Sequence, residues 1–286
     1  MELKYLKYIQ ELPINQYYKT ILADAVFIEK NPSFYLEYPS LFSNTFNIAK
    51  DDLEMLDIAG YLQYHAVLYI DLALDEKDYS RMELISICQE ESVKILTSIY
   101  ALNTAFWAIW NKRRREYFDA VSLEKEFYTK NIVTIEEYAL LADKKAAFGK
   151  TAIDCLYVLD DVKNTRKYEC LLLSHKYFSV AYQLKDDIKD LKEDVKKGQF
   201  NLGVYLLKEH DLTNLDPGLL EKHLHVKGVS KDMYLLGVTY CNKALEQIES
   251  IDVPKWKKIL EITKKHFEES IIKTDSYLNS LLYSSK

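Results

Sequence analysis

Apolar residues recur at three- and four-residue spacing through long stretches of this chain, and little interrupts them. Seven glycines and five prolines are spread over 286 residues. Strands need frequent turns, and turns draw on glycine and proline for backbone angles that other residues reach at a cost. Too little of that punctuation is present for a sheet protein, so the pattern predicts an all-α fold. No Pro-, Gly- or Ser-rich stretch separates two halves, and we expect a single domain over residues 1–286. Hydrophobic residues make up 48%, enough for a large core, and 23 tyrosines offer apolar rings with a polar tip for lining a pocket.

The expected helices follow from breaks in this spacing. One runs from near Asn15 to Glu29 and stops at Asn31-Pro32, because the residue before proline avoids the helical region. Asp51-Asp52 cap the next, which continues through Met55, Ile58, Leu62, Val67 and Leu74. Helices at about 83–111, 116–130, 135–158 and 166–195 follow, the third opening at Thr134 and the last closed by Gly198. Asp211 to Ser230 is a looser connection with one short helix, and helices at about 231–250 and 254–283 complete the chain.

A net charge of −6 argues against general nucleic-acid binding. The basic run Lys112-Arg113-Arg114-Arg115 is expected at a solvated helix end, where the dipole favours cations. Cys88, Cys155, Cys170 and Cys241 are scattered, without a disulfide or metal spacing. Charges throughout Met1 to Lys7 leave no apolar run for a signal peptide, and no stretch is suited to membrane insertion. We therefore expect a soluble protein of the cytoplasm.

Two acidic clusters stand out against the apolar background: Asp71-Leu72-Ala73-Leu74-Asp75-Glu76 and Asp186-Asp187-Ile188-Lys189-Asp190. An ionised carboxylate moved out of water must be neutralised, partnered or bound to metal. Residues four apart share a helix face, so Asp71 pairs with Asp75 and Asp186 with Asp190. The first pair lies near a helix C-terminus, already negative, and so calls for a cation. Two such helices facing each other would cage magnesium.

The stretch Ala181-Tyr182-Gln183-Leu184-Lys185-Asp186-Asp187-Ile188-Lys189-Asp190 resembles the second aspartate-rich motif of trans-isoprenyl diphosphate synthases, A-[FY]-Q-x-x-D-D-x-x-D. In the same frame, Gln183-Leu184, Asp190, Glu193-Asp194, Gly198 and Leu202 also fit the Q-L-x-x-x-x-R-D-x-x-E-D-x-x-x-G-R-x-x-L pattern of squalene and phytoene synthases. Both groups are class I isoprenoid synthases. The two registers nominate different metal ligands: Asp186, Asp187 and Asp190 in the first, Asp190 and Asp194 in the second. Asp71 through Arg81 lines up with the family's D-D-x-x-D-x-x-D-x-R-R, with Leu72 in place of the second aspartate and Ser80 in place of the first arginine.

The resemblance implies a helical bundle around a central apolar cavity, in which magnesium, a cluster of three ions, binds an allylic isoprenyl diphosphate. Asp71, Asp75, Asp186, Asp187 and Asp190 would be catalytic through that metal, with Asp194 a further ligand. The segment from Glu136 to Phe148 resembles one ending in K-T-x-x-L, whose lysine contacts the diphosphate; Lys144 or Lys145 would fill that place, with Lys150 ranked below them. Arg81, Tyr64, Tyr182 and Gln183 would also meet the substrate, and Phe178, Phe106 and Trp107 are further candidates for its apolar walls. Relatives often form dimers, so a homodimer is an expected partner state. Lys30 to Pro39 keeps the proline but not the glycines and arginines of the relatives' G-G-K-R-x-R-P segment, which grips a second diphosphate. That loss favours a terpene synthase or cyclase acting on farnesyl or geranylgeranyl diphosphate. The alternative is a prenyl transferase, head-to-tail or head-to-head, and a third reading is an inactive regulatory subunit of a synthase.

Overall fold

The computed structural model describes residues 4–24, 26, 33–127, 129–130, 132–208 and 216–284, apart from the side chains of Lys4, Ser33, Asp75 and residues 281–284. Among these residues there are thirteen α-helices and no strand, as the turn-poor sequence predicts. They are α1 (Lys4–Glu11), α2 (Gln16–Leu22), α3 (Lys50–Asp75), α4 (Met82–Tyr100), α5 (Thr104–Phe127), α6 (Ile135–Lys145), α7 (Ala147–Leu159), α8 (Thr165–Lys189), α9 (Leu191–Lys197), α10 (Leu202–Lys208), α11 (Pro217–Val226), α12 (Val229–Gln247) and α13 (Pro254–Ser284). Short 3-10 turns, Ser33–Tyr35, Pro39–Leu41 and Ser43–Thr45, precede α3.

Contacts gather the chain into two compact units, each assembled from separate stretches. The first holds Met1–Arg113, Phe148–Tyr168 and Ile251–Lys255; the second holds Arg114–Ala147, Glu169–Ser250 and Trp256–Lys286. In the first, α3 packs along α4, where the Ser92 hydroxyl donates to the Ala59 carbonyl at 3.1 Å. Tyr61 is fully buried, stacks on Tyr5 at 4.0 Å and donates to the Leu22 carbonyl at 2.7 Å. Each large apolar side chain so buried stabilises by about 1.5–3 kcal/mol. In the second unit a core of Phe127, Tyr138, Leu141, Leu184, Leu202, Leu224, Met233 and Phe267 sits under α6, α8 and α12. Gly237 allows α12 to meet the Phe267 ring: a Cβ there would lie 2.6 Å from it, closer than packed atoms approach.

Several boundaries differ from the sequence expectation. The helix expected at 83–111 ends at Tyr100, turns through Ala101 at φ 46°, and resumes at Thr104. No glycine or proline marks that turn; the Trp107 indole donates to the Ala101 carbonyl at 2.8 Å and holds it. The basic run does not end a helix but lies within α5. Arg113 is 4% exposed, and its guanidinium forks onto Asp154 at 2.7 and 2.9 Å, which satisfies both charges away from water. The helix expected at 135–158 is divided at Ala146 into α6 and α7, and that at 166–195 is divided at Asp190 into α8 and α9. Asp51 and Asp52 lie in the first turn of α3 rather than capping it. Thr134 does cap α6, in a reciprocal box with Glu137, and Gly198 ends α9 in the left-handed conformation. The expected end of the first helix, and Asn31-Pro32, lie outside the described residues, as do residues 211–215 of the expected loose connection.

Candidate functional site

The second acidic cluster sits where α8 gives way to α9. Asp190 leaves helical geometry at φ −97°, ψ 7° and becomes the N-cap of α9. Its amide still donates to the Asp186 carbonyl at 2.8 Å, and Asp194 in turn donates to the Asp190 carbonyl at 2.9 Å. Asp186 and Asp190 thus lie one turn apart. Burial, and then the charge of Asp190, push the Asp186 carboxyl up to about 7, although Lys185 and Lys189 pull the other way. Two carboxylates in such a position are relieved by a divalent cation.

Asp187 occupies a different environment. It is 2% exposed and accepts hydrogen bonds from Gln183 Nε2 at 2.7 Å, Leu202 N–H at 2.9 Å and Tyr138 Oη at 3.1 Å. Burial pushes it up to about 6 while these donors and Lys145 hold it down. Three bonds from α6, α8 and the start of α10 give Asp187 a structural task that its sequence position does not reveal. Gln183, expected at the substrate, is likewise committed to Asp187. Asp194 is half-buried and accepts from Asn201 Nδ2 at 2.7 Å; burial raises its carboxyl. Tyr182 packs by Phe178 at 5.5 Å, and Lys185 lies over its ring at 5.2 Å.

Of the lysines expected at the diphosphate, Lys144 pairs with Asp119 at 3.3 Å and Lys145 with Glu124 at 2.8 Å, both on α6. Lys145 also acts electrostatically on Asp187 and Asp194, which places it by the second cluster. Lys150, ranked below them, is 4% exposed on α7, and the neighbouring Thr151 has a buried hydroxyl with no hydrogen-bond partner. Lys150-Thr151 is a literal Lys-Thr pair.

In the first unit, Asp71 is half-buried one turn before the end of α3, and Asp75 is its last residue. Asp75's side chain lies outside the described residues. Arg81 is the N-cap of α4 and half-buried, with Nη1 buried and lacking a hydrogen-bond partner. Tyr64 stacks on Tyr35 at 4.8 Å, and Phe34 and Tyr38 flank Tyr35 at 4.2 and 5.9 Å. Residues 33–49, which form the 3-10 turns, contain no lysine or arginine. Three proposed wall residues are engaged in packing: Phe106 is fully buried on Tyr100 at 3.7 Å, Trp107 holds its own turn, and Phe178 is buried against Trp256 at 4.8 Å.

Among the described residues, no three His, Cys, Asp or Glu side chains gather tightly enough to hold a metal by themselves. Magnesium does not need them to: it is commonly held by one or two carboxylates, with substrate phosphates and waters completing six oxygens. The Asp186–Asp190 pair suits that donor set.

No family model matches the sequence, and no curated protein matches it either. The backbone is more informative. It superposes on a polyprenyl synthase from Caulobacter crescentus CB15, complexed with calcium and isoprenyl diphosphate, with a TM-score of 0.76 over 92% of each chain at 13% identity. The chain has the isoprenoid synthase fold. The same isoprenoid synthase fold is shared with geranylgeranyl pyrophosphate synthetase from the archaeon Geoglobus acetivorans (TM-score 0.75, 16% identity, 93% of this chain and 97% of that one). It is shared too with heptaprenyl diphosphate synthase from Staphylococcus aureus (TM-score 0.73, 14% identity, 93% and 96%). Among the described residues, no helix is long and apolar enough to cross a membrane.

Proposed function

We propose that this chain binds an allylic isoprenyl diphosphate through magnesium and transfers the isoprenyl group to an acceptor, as a single catalytic domain in the cytoplasm. The observation that carries this reading is the Asp186–Asp190 pair, one helical turn apart, where burial and the charge of Asp190 raise the Asp186 carboxyl, in a chain that shares its fold with prenyl diphosphate synthases. Asp186 and Asp190 would hold magnesium in the second unit, and Asp71 and Asp75 are the candidate ligands of the first. Magnesium, when bound, neutralises the departing diphosphate. Lys145, Lys150 and Arg81 offer fixed positive charge to phosphate oxygens. Tyr64 and Tyr182 present ring faces, which a cation prefers to bare hydrocarbon. The allylic C–O bond breaks with its electron pair leaving on oxygen, the acceptor's double bond closes the new C–C bond, and one proton is then lost.

A terpene synthase is the second reading, and the aromatic segment before α3 favours it. A second diphosphate needs cations, and residues 33–49 supply Phe34, Tyr35, Tyr38, Phe42 and Phe46 instead. Both readings are tested by incubating purified protein with geranyl, farnesyl or geranylgeranyl diphosphate in Mg²⁺ buffer, with and without isopentenyl diphosphate. Longer diphosphates support transfer; hydrocarbon or alcohol formed without isopentenyl diphosphate supports the terpene synthase. Absence of diphosphate release from every substrate overturns both and leaves the regulatory subunit.

A further inference from the structure

Asn201 lies between α9 and α10, is 2% exposed, and ties together both sides of the α8–α9 break. Its Nδ2 donates to the Asp187 carbonyl at 2.7 Å and to Asp194 Oδ2 at 2.7 Å. Its Oδ1 accepts from the Val204 amide at 3.2 Å, capping α10. The next amide, Leu202 N–H, donates to the Asp187 carboxylate at 2.9 Å. One short segment therefore grips Asp187 at both carbonyl and carboxylate, and grips Asp194 one helix later. Asp190, where the helical path breaks, falls between those two fixed points, and Asp186 directly precedes the first.

We propose that Asn201 is a positioning residue that sets the spacing of Asp186 and Asp190 for a divalent cation, with Asp187 and Asp194 serving as its anchors rather than as metal ligands. The inference rests on the reading of Asp186 and Asp190 as the metal-facing pair, and it replaces both sequence registers with a third. An uncharged amide is suited to the task. It provides two donors to two acceptors and keeps an acceptor for the helix cap, whereas a carboxylate in its place would face the Asp187 carbonyl and Asp194 without a proton to share. Removing an outer group that orients a metal ligand typically weakens metal affinity by about 10–100-fold.

The test is Mn²⁺ binding to the full-length protein, read by electron paramagnetic resonance in the presence of inorganic pyrophosphate, alongside thermal melting. Asn201→Ser keeps an oxygen for the α10 cap, since serine and asparagine cap about equally well, but cannot reach both anchors. It should melt close to wild type and bind Mn²⁺ at least tenfold more weakly. Asp190→Asn should abolish the tight site, and Asp194→Asn, whose amide oxygen still accepts from Asn201, should bind within threefold of wild type. Unchanged Mn²⁺ affinity in folded Asn201→Ser overturns the positioning role. Should Asn201→Ser fail to fold, Asp194→Asn decides: a loss as deep as that of Asp190→Asn makes Asp194 a ligand and overturns the proposal. Wild-type protein that binds no Mn²⁺ overturns the underlying metal reading, an outcome that the variants by themselves cannot produce.

Discussion

At the end of α3 the acidic residues meet solvent: Glu76 and Asp78 are exposed, Asp71 is half-buried, and Asp78 accepts from the Ser80 amide at 2.9 Å in an open turn. At the α8–α9 break the arrangement is reversed, with Asp187 buried under three donors and Asp194 held by Asn201. The second cluster is organised by the protein before any ligand arrives. The first is the more open of the two to solvent. Its sequence motif is also the looser one, with Leu72 in place of the middle aspartate.

The comparison can be broken most sharply at the metal-facing residues. Asp186→Asn and Asp71→Ala should each lower kcat by about 10³-fold or more, roughly 4 kcal/mol in barrier. Melting temperature should be unchanged for Asp71→Ala and unchanged or higher for Asp186→Asn, which removes a half-buried like-charge partner. A large loss of stability in either would contradict the division of roles. Asp187→Ala should behave in the opposite way. It strands the Leu202 amide, Gln183 and Tyr138 Oη, and should cost about 3 kcal/mol or more in urea unfolding. A stable but inactive Asp187→Ala protein would return Asp187 to the metal.

A smaller effect separates the α3 region by pH. Burial pushes His65, fully inside the first unit, down to about 3, while an unfolded histidine titrates near about 6.5. The unfolded chain therefore takes up a proton first as pH falls, so stability is full above about 6.5 and is lost toward 3. At pH 5 the loss is about 2 kcal/mol. His65→Phe should remove that part of the slope, measured as the difference in unfolding free energy between pH 7.5 and pH 5 against wild type. An identical slope in both proteins would show that the buried imidazole is not its source.

The least effect is expected away from both clusters. Val162, in the turn between α7 and α8, holds φ at 62° and is exposed, a conformation costly for a β-branched side chain. Val162→Gly should stabilise by about 0.5–1 kcal/mol without changing kcat. A loss of activity there would mean that the strained turn serves the site.

Much of this architecture was legible before folding. Helical spacing and scarce turn residues announced an all-α chain, and Gln183 to Asp190 stood out as an acidic motif, though on a helix expected to run on to 195. What misled were positions where a tertiary partner reverses local logic. Arg113 looked solvated until Asp154 was found facing it. Asp187 looked idle without metal until Tyr138, 49 residues earlier, and Leu202, 15 later, supplied its bonds. Asn201 carried no signal, because an asparagine before a short helix reads as an ordinary cap.

The sequence by itself determined the helices and the presence of two acidic pairs, since both follow from periodicity and from the cost of burying unpaired charge. Tertiary structure decided which carboxylates are anchored by distant donors, as Asp187 is. That division depends on donors brought in from distant segments, and a linear pattern of aspartates does not encode where those donors lie.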